Sequence, residues 1–165
     1  MKNNQGGFTI IELVVVIAII GLLVFVIYTA LDPSTQLKES RDAVRQSATQ
    51  NILSAIKLDQ LDHNGELLAS IKEMNPGEVY MIVNGSMKTG CAAYNDVCDT
   101  PVTDDTHCVD VSALIDTTHL PRIPVAPAGT IVWGEGGSGA NVATGYTLQR
   151  DDSGVIQVRA CEYEK

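Results

Sequence analysis

One acidic residue, Glu12, lies near the start of an otherwise uncharged apolar run that extends from Phe8 to Leu31. As a helix, these 24 residues would span about 36 Å, more than the roughly 30 Å hydrocarbon core of a bilayer. A carboxylate inside such a segment costs on the order of 3 kcal/mol on insertion. Because the run contains no Lys or Arg, we expect the partner of Glu12 to lie outside this chain, most economically on a second copy.

The order of small and apolar residues differs from that of a secretory signal peptide, in which the apolar stretch precedes the cleavage site. Residues 1–7 are polar and carry one cation, Lys2, and the small residues Gly6-Gly7 come before the apolar run. Cleavage there would leave the apolar helix on the mature chain and create an ammonium group at Phe8. That cation could neutralise Glu12 of a neighbouring subunit.

The sequence Gly7-Phe8-Thr9 with Glu12, followed by the apolar helix containing Gly21, resembles the N-terminal signature of type IV pilins. It is equally similar to that of the pseudopilins of type II secretion and DNA-uptake machines. The resemblance covers about the first fifth of the chain. It implies that a membrane-embedded aspartyl peptidase, the prepilin peptidase, cuts between Gly7 and Phe8 and methylates Phe8. It also implies that Glu12 assists assembly into a helical filament, whereas the alternative is a signal-anchor helix with a stray Glu.

The sequence after the apolar run predicts an amphipathic helix. Asp32-Pro33-Ser34 should interrupt the first helix, because a residue before proline resists helical geometry. Beyond it, apolar residues recur at the three- and four-residue spacing of one buried face: Val44, Ala48, Ile52, Ala55 and Ile56. Arg41 and Arg45 are assigned, with other polar residues, mostly to the remaining faces. We expect this helix to end near Leu61, before a C-cap at Asn64-Gly65.

The C-terminal part reads as mostly strand. Strands are expected at residues 79–83, 130–133, 146–149 and 155–158, and short helices at 66–74 and 111–116, the latter capped by Asp110. Asp151 to Gly154 predicts a hairpin turn. The fold class is therefore α+β, with a long helix, half transmembrane and half amphipathic, packed on a small antiparallel sheet as in pilins. The predicted segments are a leader (1–7), an assembly helix (8–31), its amphipathic continuation (32–62) and a globular part with a cysteine-closed loop (63–165).

Charge constrains the partners and the topology. The chain has 11 Lys+Arg and 20 Asp+Glu, and removal of Lys2 with the leader leaves 10 against 20, or −10. Such acidity argues against direct binding of nucleic acid. Lys2 places the N-terminus in the cytoplasm before processing, so that everything after Leu31 faces outward. We expect a single-pass membrane protein that becomes part of an extracytoplasmic or cell-surface filament.

Four cysteines lie in the outward part, where an oxidising compartment lets disulfides persist: Cys91, Cys98, Cys108 and Cys161. They allow three pairings, of which we favour Cys91–Cys98 and Cys108–Cys161. A zinc site that includes His107 is the competing interpretation. It is disfavoured because no CxxC pair is present and because ligands at the adjacent positions 107 and 108 make awkward geometry.

Other motifs that suggest chemistry have simpler interpretations. Asp151, Asp152 and Ser153 could offer oxygens to Ca²⁺, but a turn needs the same residues and the twelve-residue calcium loop is absent. The glycine-rich residues 134–139 lack the Lys of a phosphate-binding loop and are interpreted as an inter-strand loop. The histidines at positions 63, 107 and 119 are interpreted as surface residues. No catalytic residue and no cofactor or metal is predicted.

The sequence thus predicts a structural subunit rather than an enzyme, with copies of itself as the main partner. The family resemblance adds the prepilin peptidase, an inner-membrane platform and an assembly ATPase. Two alternatives remain open at this point. The chain could be a pseudopilin of a secretion or DNA-uptake system, or a membrane-tethered binding module that never polymerises.

Overall fold

A computed structural model describes residues 7–30, 32–134 and 142–164. Its elements are α1 (Ile10–Ala30), α2 (Pro33–Asp62), α3 (Ala69–Lys72), β1 (Val79–Asn84), β2 (Cys108–Asp110), α4 (Ala113–Asp116), β3 (Val142–Arg150) and β4 (Ile156–Ala160). Internal contacts divide the chain into two units, one ending at Leu37 and the other starting at Lys38. Each unit is described by itself.

The first unit contains α1, whose side chains are exposed from Ile10 to Thr29. The same stretch has a mean hydropathy of 3.3, and it is the one helix among the described residues long and apolar enough to cross a membrane. Apolar side chains on every face of a helix are typical of a membrane span or of a helix covered by other chains. The predicted helix is present, and its length and composition are those of a membrane span.

The predicted interruption after the first helix is also present. It lies at Asp32, and α2 starts directly after it. Asp32 is non-helical, and its Oδ1 accepts hydrogen bonds from the Ser34 amide at 3.0 Å and the Ser34 hydroxyl at 2.7 Å. Its Oδ2 accepts a 2.7 Å bond from Thr35 Oγ1. These bonds, that from the Ser34 hydroxyl foremost, lower the pKa of Asp32 to about 2. An aspartate cap followed by Pro33 at the first helical position is a favourable helix start.

In the second unit, α2 buries one stripe of residues: Arg45, Ala48, Thr49, Ile52, Ala55, Ile56 and Asp59. The predicted apolar face is right from Ala48 onward but wrong at its beginning, because Val44 is 53% exposed and Arg45 is fully buried. The predicted face therefore begins one residue too early, because Arg45 and not Val44 is the first residue of the buried stripe. The helix ends at Asp62, and Gly65 donates its amide to Gln60 O at 2.7 Å in the predicted C-cap.

The four strands form one sheet in the order β2-β1-β3-β4. The pairs β1–β3 and β3–β4 are antiparallel, whereas β1–β2 is parallel. The sheet is therefore mixed, and the prediction of a wholly antiparallel sheet is wrong. The chain between Asn84 and Cys108 is long enough to cross over and return β2 in the direction of β1. The α+β, pilin-like architecture is otherwise confirmed.

Trp133 lies outside the strands, so the predicted strand at 130–133 is wrong. The indole is 5% exposed, packs at 5.1 Å against Tyr94 and covers Gly145 so closely that a Cβ there would come within 2.6 Å of it. Gly145 also has φ +80°, which favours glycine. Of residues 130–133, Trp133 is therefore the one that is buried, and it covers β3 at Gly145 instead of belonging to a further strand.

The predicted hairpin between β3 and β4 is confirmed, whereas both short helices are shorter than predicted. Asp151 Oδ1 accepts the Val155 amide at 2.7 Å and closes the hairpin turn. The helices α3 and α4 have four residues each. Asp110 lies two residues before Ser112, the N-cap position of α4, and accepts the Ser112 amide at 2.9 Å instead of capping the helix.

Both disulfides predicted by cysteine count are present, but the favoured pairing is wrong. The structure joins Cys91 to Cys108 and Cys98 to Cys161, with Cα–Cα distances of 5.6 and 4.2 Å. The physical reason is the fold of the loop after β1. The Cys91 amide bonds Asp105 O at 3.1 Å beside the start of β2, and the Asp99 amide bonds Cys161 O at 2.6 Å. The zinc alternative would need thiolates that these bridges consume.

Peptide mapping of the unreduced protein is expected to yield two linked pairs, Cys91 with Cys108 and Cys98 with Cys161. Free thiols should be blocked before digestion at acidic pH so that bridges do not exchange. A peptide that joins Cys91 to Cys98 would contradict the observed arrangement of the loop around β2. The same digest after reduction serves as the control, because every linked peptide should then disappear.

A group of charged residues, here called the Arg45 cluster, joins α2 to the end of the chain. Its members are Arg41, Asp42, Arg45, Glu162 and Glu164. Arg45 donates to Asp42 Oδ1 at 2.7 Å and to Glu164 Oε1 at 2.9 Å. Its other terminal nitrogen bonds Pro127 O at 3.1 Å and lies 3.8 Å from Glu162 Oε2. These acceptors explain why Arg45 is buried, contrary to the sequence analysis, because a buried charge requires paired partners.

The rest of the Arg45 cluster ties the C-terminal segment to a neighbouring loop. Glu162 Oε1 accepts the Thr130 amide at 2.6 Å, and both nitrogens of Arg41 that face Glu164 bond its carboxylate. The hydrogen bond from Arg41 is the main reason why the pKa of Glu164 falls from 4.5 to about 2. Gly129 leaves room for this arrangement, because a Cβ there would come within 2.6 Å of Arg45 Nη2.

The depressed pKa of Glu164 predicts that the second unit loses stability in acid. Above pH 5 the Glu164 carboxylate is charged in both the folded and the unfolded chain, and its contribution to stability is fully present. Between about pH 5 and 2 the unfolded chain binds the proton first, so the free energy of unfolding falls with pH. Urea unfolding followed by the fluorescence of Trp133, the single tryptophan, measures this. Glu164→Gln should show a shallower fall, and an unchanged pH profile in that variant would contradict the assignment.

Candidate processing and assembly segment

The predicted cleavage site lies in an accessible, non-helical stretch just before α1. Residues 7–9 have no regular secondary structure, and Phe8 is 91% exposed. Among the described residues, none places an atom within 4 Å of a Cβ added to Gly7. A peptidase must reach the backbone of an extended segment, which a helix would hide. The Gly7–Phe8 bond meets this condition in the first unit.

Glu12 has a partner that sequence analysis missed, namely Thr9. The Thr9 amide and hydroxyl both donate to Glu12 Oε2 at 2.8 Å, and the Glu12 amide donates to Thr9 Oγ1 at 3.3 Å. This reciprocal pattern is a capping box, in which Thr9 is the N-cap and Glu12 the third helical residue. The spacing Thr-x-x-Glu before an apolar run is its known sequence signature and could have revealed it.

The capping box defines where the carboxylate lies. It holds Glu12 over the first turn of α1, where unpaired backbone amides favour a negative charge. The carboxylate of Glu12 is hydrogen-bonded to Thr9, which is the residue directly after Phe8. It is therefore held next to the residue that cleavage would make the amino terminus. Both bonds from Thr9 go to Oε2, so that within the described residues Oε1 remains for a further donor. One carboxylate can therefore cap its own helix and receive a cation.

The histidines and the glycine-rich loop, which the sequence analysis interpreted as non-catalytic, differ in where they lie. His107 stacks on Tyr80 with ring centroids 4.2 Å apart, whereas His63 and His119 both face Asp59 at the end of α2. His63 and His119 are therefore close together in the fold, although they are far apart in sequence. Of the glycine-rich loop, only Gly134 lies within the described residues.

Comparison with known proteins bears on the N-terminal segment alone. Residues 2–28 match the family model described as the prokaryotic N-terminal methylation motif. This motif is the class III signal peptide that type IV pilins carry. The motif includes Gly7, Phe8, Thr9 and Glu12, and it implies processing by a prepilin peptidase and assembly into filaments. No curated protein and no solved structure matches the chain at a significant level.

The methylation motif confirms the resemblance on which the sequence analysis relied. It belongs to structural, pilin-type proteins and not to an enzyme family. Together with the apolar helix α1, it fits a protein anchored in the membrane near its N-terminus. The match ends at residue 28, so it describes the apolar N-terminal segment and not the cysteine-bearing unit.

Proposed function

We propose that this chain is a structural subunit of a type IV pilus-like filament. A prepilin peptidase cuts between Gly7 and Phe8 and methylates Phe8, α1 stores the subunit in the inner membrane, and polymerisation proceeds through α1. The observation that carries this proposal is the methylation motif joined to a helix whose side chains are exposed on every face. Such a helix needs a cover, which lipid supplies before assembly and other subunits supply afterwards.

The charges at the start of α1 give the assembly its register. The ammonium group of a processed Phe8 and the carboxylate of a neighbour's Glu12 would each be costly alone in an apolar filament core. Pairing removes both costs and favours one axial stagger between subunits. The capping box positions Glu12 for this contact before the neighbour arrives, so that less freedom is lost on pairing.

Extraction of α1 from the membrane yields little hydrophobic free energy, because the helix has apolar surroundings before and after. An assembly ATPase and an inner-membrane platform are therefore the expected partners. We favour a displayed surface filament over a secretion pseudopilus because two disulfides stabilise the outward unit. Such bridges suit prolonged exposure to an oxidising exterior.

Two measurements on the native host test this proposal. Intact-mass and N-terminal analysis should find a mature chain that begins at Phe8 and carries one methyl group on its amine. Electron microscopy with an antibody against the second unit should label filaments on the cell surface. A mature chain that starts at Met1, or that never leaves the membrane fraction, would contradict the proposal. Label confined to the periplasm would identify a pseudopilin instead.

A further inference from the structure

Two histidines and two aspartates come together where α2 ends, and the processing segment has no part in this group. His63 Nδ1 lies 3.4 Å from Asp59 Oδ1, and His119 Nε2 lies 3.9 Å from the same oxygen. His119 Nε2 is also 3.2 Å from Asp62 Oδ2. Asp59 and His63 are four residues apart and share one side of the helix end, whereas the fold brings His119 from the segment after α4.

Asp59 is the unusual member of this group. Its side chain is 3% exposed, and its Oδ1 is a buried oxygen that has no hydrogen-bond partner among the described residues. Buried carboxylate oxygens are normally hydrogen-bonded, and an orphaned one requires an explanation. The two imidazole nitrogens face it at distances too long or too poorly aligned for a hydrogen bond. A cation between these atoms would satisfy the oxygen and both rings at once.

The distances fit a small tetrahedral metal ion. Zinc bonds to nitrogen and oxygen ligands of about 2.0–2.2 Å place neighbouring ligand atoms roughly 3.3 Å apart. The separations of 3.4, 3.9 and 3.2 Å in this group are close to that value. Buried Asp59 and 13%-exposed His119 form its fixed half.

The other two side chains must adjust, because no three described carboxylate, imidazole or thiol groups already surround one point. His63 is 56% exposed and Asp62 is 68% exposed, so both can turn without disturbing the core. Rotation of the His63 ring would release its Nδ1 from Asp59 O, which it contacts at 2.8 Å. The site therefore closes around an ion and is not preformed.

We propose that Asp59, Asp62, His63 and His119 bind a divalent transition-metal ion of the zinc type. Imidazole and carboxylate ligands suit Zn²⁺, Co²⁺, Ni²⁺ and Cu²⁺, whereas an all-oxygen set would suit Ca²⁺ or Mg²⁺. The ion joins the end of α2 to residues 119–125, which line a groove of about 760 Å³ against that helix. Metal binding therefore stiffens this wall of the second unit.

Titration of the full-length chain in a non-ionic detergent, without a histidine tag, tests the site with Co²⁺ as the probe. Wild type should bind one Co²⁺ per chain with a micromolar Kd and develop the strong visible absorption of a tetrahedral ion. Zn²⁺ should displace it. His119→Gln and His63→Gln, tested separately, should each weaken Co²⁺ binding at least tenfold. Because His63 is exposed, its substitution should not disturb folding, so weaker binding by His63→Gln would report the loss of a ligand.

His107→Gln is the matched control, because it removes an imidazole from a different place in the same unit. It should bind Co²⁺ as wild type does. The proposal is overturned if wild type shows no saturable binding below millimolar Co²⁺, or if both His63→Gln and His119→Gln bind as tightly as His107→Gln. A weak, octahedral-type spectrum that these two variants share with wild type would also overturn it, since it would indicate adventitious surface binding.

Discussion

Replacement of Glu12 by Gln is expected to reduce filament assembly by more than a hundredfold per subunit contact while leaving cleavage after Gly7 intact. The change strands the ammonium group of a neighbouring Phe8 in an apolar core. Removal of one partner from a buried ion pair costs about 3–5 kcal/mol, and each 1.4 kcal/mol is tenfold in an equilibrium. Insertion into the membrane should be unchanged or slightly easier, because a charge is lost.

The capping box makes this substitution informative. Gln still accepts the amide and hydroxyl of Thr9, so Glu12→Gln removes the charge and keeps the cap. Thr9→Val is the matched control, since it removes the hydroxyl from the box but leaves the carboxylate available to Phe8. Thr9→Val should fray the first turn of α1 and retain most assembly.

Processing and filament yield should be measured in the same cells. Mass analysis reports cleavage, and the amount of sheared filament, normalised to subunit in the membrane, reports assembly. Normal filaments from Glu12→Gln would refute the role of the charge in register. Filaments lost equally from Glu12→Gln and Thr9→Val would show that assembly needs the Thr9 hydroxyl as much as the charge of Glu12, so that the charge alone would not set the register.

Arg45→Ala is expected to lower the free energy of unfolding of the second unit by about 3–5 kcal/mol. The guanidinium is fully buried and compensates Asp42, Glu162 and Glu164. Its removal leaves Arg41 as the one cation of the Arg45 cluster within the described residues. The loss is a large fraction of the stability of a small domain, so a substantial unfolded population should appear near 37 °C.

Urea unfolding at pH 7, followed by the emission of Trp133, measures the effect in the full chain. The tryptophan is buried in the second unit, so the signal is independent of α1 in its detergent micelle. Lys57→Ala, an exposed change on the same helix, should alter the unfolding free energy by less than about 0.5 kcal/mol. Equal effects of the two substitutions would show that the Arg45 cluster does not stabilise the unit.

The N-terminal segment could be predicted from sequence because its determinants are local. The length of the apolar run, the placement of Gly7 before it and the proline after Asp32 each act within a few residues. The hairpin closed by Asp151 is local for the same reason. One local feature, the capping box of Thr9 and Glu12, was not predicted, because the charge of Glu12 alone indicates a partner on another chain.

The errors concern contacts between residues far apart in sequence. From sequence alone, Arg45 is predicted to be a surface cation, because its partners Glu162 and Glu164 are more than 100 residues away in the chain. The cysteine pairing depends on how the loop after β1 folds against β2, which spacing does not specify. The approach of His119 to Asp59 likewise arises only from the tertiary fold. Patterns of hydrophobicity identify faces of helices, but they cannot say which distant side chain makes a charge tolerable in the core.

The two disulfides have a mechanical consequence for a subunit that carries tension. The bridge from Cys98 to Cys161 closes a covalent ring over 63 residues, and the ring from Cys91 to Cys108 overlaps it. A pull along the chain passes along residues 91–98 and then through the Cys98–Cys161 bridge, so the chain between the two cysteines of that bridge cannot lengthen. About 60 residues, or roughly 200 Å of extended chain, are thereby withheld from stretching. In an oxidised filament, β3 and β4 keep their length even when hydrogen bonds yield.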